Sequence, residues 1–211
     1  MLAQTALRQR VAAATVAGMV RGATFVRADV VRAAMEVFWR DGYHASSLAS
    51  LGAAMDLQPG SIYAAFGSKD GLFREALTAY VERVRTTAAR ARLGPRETIE
   101  AWFAAHIDAA LDVPDGARGR GCLLLRSAAE SGHLEAETAA LVREAVDAME
   151  RFFRSAVVKA RRQRERDSAS AGPAATARLL VATLAGIDSL SRLGASRKVL
   201  EDAARAALAT I

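Results

Sequence analysis

The residues whose types and spacing suggest chemistry lie close together in this chain, between Ser46 and Lys69. Ser46 and Ser47 stand where a helix would begin, Gln58-Pro59-Gly60-Ser61 follow a short apolar segment, and Tyr63, Ala64 and Lys69 come soon after. None of these groups is set beside a general base, and the chain has no GxSxG, P-loop or HExxH pattern, so the chemistry is recognition rather than bond-making. A carboxamide such as Gln58 pairs bidentately with adenine, and a methyl such as that of Ala64 meets a thymine methyl. Double-stranded DNA is the partner that such groups suit.

Short helices must hold these side chains. Val31, Ala34, Met35 and Phe38 recur at i, i+3, i+4, i+7, which predicts a first helix from about Arg27 to Arg40 with one apolar stripe. Asp41-Gly42 ends it, because glycine takes the left-handed conformation that follows a last turn. Ser46 or Ser47 caps a second helix with the stripe Leu48, Leu51 and Met55. A turn, Asp56-Leu57-Gln58-Pro59-Gly60, leads into a short third helix, about Pro59 to Ala65, in which Ile62 and Phe66 face inward. Gly67 stops that helix and Ser68 caps a fourth, which runs on to about Arg92. Three helices with a four-residue turn between the second and third form a helix-turn-helix, whose last helix enters the major groove.

Composition agrees with an all-α fold of about nine helices. Hydrophobic residues make up 52% of the 211, with aromatics at 6% and only 4 prolines, and alanine, leucine, arginine and glutamate all favour helix. The net charge of +6 permits a nucleic-acid partner without specifying one. The single cysteine, Cys122, excludes an internal disulfide and fits a reducing cytoplasm. No run is long and apolar enough for a membrane helix, so no membrane partner is expected. Residues 1–25 carry Arg8, Arg10 and Arg21 without an acidic residue and read as a flexible arm, with Met19 an alternative start. The helix-turn-helix domain spans 26–92, and a regulatory and dimerisation domain spans 94–211 after the Gly94-Pro95 break.

Five further helices are predicted in that second part: about 96–111, 122–131, 135–162, 174–193 and 196–210. The apolar faces of the first three meet, which makes Trp102, Phe103, His106, Ile107, Cys122, Leu125, Arg126, Leu141, Ala145, Met149 and Phe152 the candidate lining of a small-molecule site. His106 or Arg126 would be its polar anchor. The last two helices, with Leu180, Leu184, Ile187, Leu200, Ala204 and Leu208 beside small residues, suit a four-helix contact between two copies. A metal-responsive alternative would use His106, Cys122 and His133, three scattered ligands with no close pair. Neither a resident metal nor another cofactor is expected, and the acidic residues lie beside arginines at solvated positions, which argues against an enzyme.

From Val30 to Glu75 the chain resembles the tetracycline-repressor (TetR) family of bacterial transcription regulators. The residues that carry the likeness are Ala33 to Phe38, Gly42-Tyr43, Ser46-Ser47-Leu48, Leu51, Ser61 to Phe66, and Ser68 to Phe73. Arg120-Gly121-Cys122-Leu123-Leu124-Leu125 is similar to an opening of the sixth helix in some members. The resemblance implies phosphate contacts at Ser46, Ser47, Tyr63 and Lys69, with Arg27, Pro59 and Gly60 on the same surface and Gln58, Ser61 and Ala64 left to read bases. It also implies a homodimer on a palindromic operator, most plainly a repressor, released when an unidentified small molecule binds the second domain.

Overall fold

The computed structural model describes residues 26–90, 93–112, 121–163 and 171–211, so the arm 1–25 and parts of three predicted connections lie outside the described residues. Nine α-helices are found among them: α1 (Arg27–Asp41), α2 (Leu48–Met55), α3 (Pro59–Phe66), α4 (Lys69–Arg90), α5 (Pro95–Leu111), α6 (Leu123–Ala129), α7 (Ala136–Gln163), α8 (Pro173–Arg192) and α9 (Arg197–Leu208), with a 3-10 turn at Ser131–His133.

α1, α2, α3 and the first turns of α4 form an N-terminal head. Its core is Ala34, Met35 and Phe38 from α1, Leu51 and Met55 from α2, Ile62 and Phe66 from α3, and Leu72 and Phe73 from α4, all buried. Phe38 meets Phe73 edge-on at 4.8 Å between ring centres. The joint between α2 and α3 is three residues, Asp56 to Gln58, rather than the four expected. It closes because Asp56 takes the left-handed conformation (φ 52°, ψ 44°), which aspartate tolerates, and Leu57 N–H returns to the Gly52 carbonyl at 2.9 Å. Gly52 is required there, since a Cβ would lie 2.6 Å from the Leu57 carbonyl oxygen.

The C-terminal body is a bundle in which α7 packs on α8 and α5, and α8 on α9. Ile99, Phe103, Ile107, Val142, Phe153, Val157, Leu180, Leu184, Ile187 and Leu200 fill it. α6 is a short apolar wedge, with Leu123, Leu124 and Leu125 all buried, and it touches α4, α7 and α8. α4 therefore belongs to both parts, packing on α1, α6 and α7. No helix among the described residues is long and apolar enough to cross a membrane.

Candidate nucleic-acid interface

Each turn of α3 sorts its side chains by direction. Ile62 and Phe66, four residues apart, are buried against the head, while Gln58, Pro59, Gly60, Tyr63 and Ala64 are exposed and Ser61 is half-buried. Tyr63 is 52% exposed, unusual for so large an apolar side chain and open to a partner. Pro59 occupies the first helical position, where its missing N–H costs nothing. The start of α3 thus offers a carboxamide, a hydroxyl, a phenol and a methyl on one free surface.

The flanking helix starts complete that surface. Ser47 caps α2, its hydroxyl accepting from Ser50 N–H at 3.0 Å while Ser50 Oγ accepts from Ser47 N–H at 3.0 Å. Ser46 departs from expectation. It is buried and its hydroxyl donates to the Gly42 carbonyl, so Ser47 and not Ser46 is presented at this helix start. Lys69 opens α4 with its Nζ 4.5 Å from the Tyr43 ring centre and 3.5 Å from the His44 carbonyl. Burial lowers its pKa from the usual lysine value, against the pull of Glu130. Arg27 is half-exposed but engaged: it pairs with Glu75, stacks 4.5 Å over Phe66 and donates to the Ala65 carbonyl at 3.1 Å, so it ties off the end of α3.

The two expected polar anchors of the small-molecule site, His106 and Arg126, lie apart and hold different partners. Arg126 leaves the body altogether: Nη1 donates to the Trp39 and Arg40 carbonyls at 3.2 and 2.9 Å, Nη2 donates to the Asp41 carbonyl, and Nε meets Glu130 at 3.1 Å. The side chain is drawn there by the negative end of the α1 dipole. His106 is buried, with Nε2 2.9 Å from Asp188 Oδ1 and 3.2 Å from the Leu184 carbonyl. Both are acceptors, which puts the proton on Nε2. Asp188 also accepts from Cys122 N–H, and Tyr80 donates to Cys122 Sγ at 3.5 Å. Burial, with Asp188 adding to it, pushes the Cys122 thiol up to about 11.

Of the remaining lining residues, Trp102, Phe152, Leu125, Ala145, Met149 and Leu141 pack together. Trp102 lies 5.1 Å from Phe152 and 5.5 Å from Phe153, ring centre to ring centre, and Leu125, Ala145 and Met149 are buried in the same core. Leu141 is half-buried beside them. An open groove of about 510 Å³ lies between α5 and α9, with two of the expected lining residues, Phe103 and Ile107, among its walls beside Ala204 and Leu208. The three residues of the metal alternative do not converge: His106 is held by Asp188, whereas His133 is exposed with its ring 4.5 Å from that of His44. No cluster of three metal-ligating side chains occurs among the described residues.

The dimer residues expected from sequence are also corrected. Leu180, Leu184, Ile187, Leu200 and Ala204 are buried in the chain's own core, and Leu208 packs against it. The neighbouring face of α8 is the open one: Leu179, Leu190 and, just past its end, Leu193 are exposed, the last at 83%, with Val199 of α9 beside them in the chain.

A three-helix head with a bare recognition helix, joined to a larger helical body, defines a DNA-binding transcription regulator of the helix-turn-helix class. Comparison with known proteins narrows this. Residues 30–76 match the bacterial regulatory proteins of the tetR family, and residues 95–207 match the tetracyclin repressor-like C-terminal domain. The chain belongs to the TetR family, and is a regulator rather than an enzyme. It is 41% identical over 63 residues to the HTH-type transcriptional repressor ComR of Escherichia coli (strain K12), a match covering 30% of each chain. It is 26% identical over 187 residues to the HTH-type transcriptional regulator YezE of Bacillus subtilis (strain 168), covering 87% of this chain and 95% of that one. Among solved structures it resembles a cysteine mutant of the TetR family regulator CifR complexed with a 26-bp double-strand operator DNA: 28% identity, TM-score 0.71, covering 90% of this chain and 98% of CifR.

Proposed function

We propose that the chain is a homodimeric repressor that places its two α3 helices in successive major grooves of a palindromic operator and is released by a small molecule. The observation that carries this is the one-sided burial of α3, which leaves Gln58, Ser61, Tyr63 and Ala64 free at its outer face. Gln58, Ser61 and Ala64 read base edges; Ser47, Tyr63 and Lys69 hold phosphates on either side. So few base contacts make one head a weak reader, and specificity comes from doubling it. Operator binding by CifR and the repressor role of ComR support the reading.

The second copy joins through the outward row Leu179, Leu190, Leu193 and Val199, in line with the small residues Ala182 and Gly186 that let two helices approach closely. Release is a population shift, in which the effector favours a state whose heads are wrongly spaced for successive grooves. Strong release requires the effector to prefer that state by about 3–5 kcal/mol. The responsive site in this reading is the buried His106–Asp188 pair, where α5, α6 and α8 meet.

Selection of duplexes from a random library by the full-length protein tests the function, followed by footprinting and by light scattering of the complex. The expected result is an inverted repeat protected by two protomers. Enrichment of nothing, or of single half-sites bound by one protomer, sinks the reading.

A further inference from the structure

We propose that Arg126 sets the operator half-site spacing that the protein accepts, by fixing the angle of the head on the body. It is a positioning residue, not a DNA contact, and the inference rests on the homodimer reading above.

Arg126 is the side chain that crosses from α6 to the end of α1, where it holds the Trp39, Arg40 and Asp41 carbonyls together. These are among the last carbonyls of α1, the ones a helix leaves without partners of its own. One turn later Glu130 completes a grip on the other side of the α1–α2 link. It holds Arg126 Nε at 3.1 Å and accepts from His44 N–H at 2.9 Å. Gly42 lies between the two. Its φ is 86°, and a Cβ there would fall within the Glu130 carboxylate and the Arg126 guanidinium, so the chain leaves this passage clear.

None of this serves the head's own core, which closes through Phe38, Leu51, Ile62 and Phe73 without help from α6. Arg126 and Glu130 already satisfy each other as an i, i+4 pair. What the carbonyl contacts add is direction: three acceptors pointing along the α1 axis fix that axis relative to α6. The other end of α6 is pinned as well, since Trp39 Nε1 donates to the Gly121 carbonyl at 2.8 Å and Cys122 N–H to Asp188 at 3.2 Å. α6 is thus a strut tied to α1 at both ends. In a dimer the α1 axis decides how far apart the two α3 helices lie, and they must match about 34–36 Å, one turn of DNA.

The test uses full-length protein and the inverted repeat selected by wild type, remade with its half-sites one and two base pairs closer or farther apart. Kd is measured at one salt concentration for wild type, Arg126→Ala and Arg126→Lys. Wild type should prefer its own spacing by about tenfold or more over a one-base-pair change. Arg126→Ala should bind the neighbouring spacings within about twofold of the original, and Arg126→Lys, which keeps a donor cation, should recover most of the preference. A loss of stability alone would weaken binding to every spacing equally. The proposal is overturned if Arg126→Ala, folded by circular dichroism and dimeric by light scattering, keeps the wild-type ratio. Should Arg126→Ala fail to fold, Arg126→Gln takes its place and the same ratio decides. Absence of any spacing preference in wild type overturns the homodimer reading, and this proposal with it.

Discussion

Asp70 gives the sharpest prediction about what joins head to body. Its side chain is buried, the residue being 1% exposed, in the first turn of α4. Oδ1 accepts from Glu135 N–H at 3.2 Å and Oδ2 accepts from the Thr138 hydroxyl, so a head carboxylate caps the start of α7. Its charge, after burial, helps hold the Tyr43 phenol up at about 12. Asp70→Ala removes the cap, worth about 1 kcal/mol. It also strands the Thr138 hydroxyl, which is fully buried, at a further ~1–3 kcal/mol. We expect a total of about 2–4 kcal/mol. Thr138→Val, close in shape, should cost about 1.5–3 kcal/mol as a lost bond to a charged group.

Because both changes delete the same contact, the double variant should fall short of the sum by about 1–2 kcal/mol. Asp70→Asn should lie between wild type and alanine, since one amide oxygen cannot serve both donors and the amide nitrogen would face one of them. The assay is urea unfolding at a single protein concentration, because association makes apparent stability concentration-dependent. An Asp70→Ala cost below about 1 kcal/mol, or additivity within about 0.5 kcal/mol, would refute the cap.

Other outcomes can be checked alongside. Lys69→Ala should weaken binding to all duplexes and reduce the salt slope by about one; an unchanged slope would remove Lys69 from the phosphate contacts. Leu190→Asp should leave helicity intact and yield monomers by light scattering, whereas Leu184→Asp, at a fully buried position, should unfold the chain. The Cys122 thiol should react with a disulfide reagent only as fast as the protein opens. Since its folded pKa is raised from 9.0 to about 11, the stability it contributes is complete below pH 9 and is lost as pH rises toward 11. Cys122→Ala should therefore lose about 2–3 kcal/mol less than wild type over that interval, and parallel pH profiles would contradict the buried, protonated thiol.

The head was legible because its determinants are local. The apolar period that turns Ile62 and Phe66 inward is the same one that turns Tyr63 and Ala64 outward. Gly42, Ser47, Pro59, Gly67 and Ser68 mark helix ends within a few residues of their effect. The body was less legible because its polar side chains find partners far along the chain. Arg126 reaches a carbonyl 85 residues away and His106 one 78 residues away, distances at which spacing carries no signal. α8 shows a different ambiguity. Leu180, Leu184 and Ile187 form one ridge, and Leu179, Leu190 and Leu193 another beside it. Periodicity marks the first, and only packing shows that this more regular ridge is consumed by the chain's own core and that the second is left exposed. Ser46 and Ser47 were likewise equivalent until the α1–α2 link turned one hydroxyl inward.

These long-range polar contacts share a geometric consequence. Apolar surfaces in the body tolerate small slips, since burial has no direction. The hydrogen bonds of His106, Cys122, Trp39 and Arg126 do not, because each depends on a distance and an angle. α8 carries Asp188 on its inner face and Leu179 and Leu190 on its outer one. A shift of α8 large enough to break the His106–Asp188 pair therefore alters the proposed dimer row and the start of α6 together. α6 is tied to α1 by directional bonds through Gly121 and Arg126, so such a shift reaches α1. In the proposed dimer the two heads would then turn together as one helix moves, which is the coupling that release by a small molecule requires.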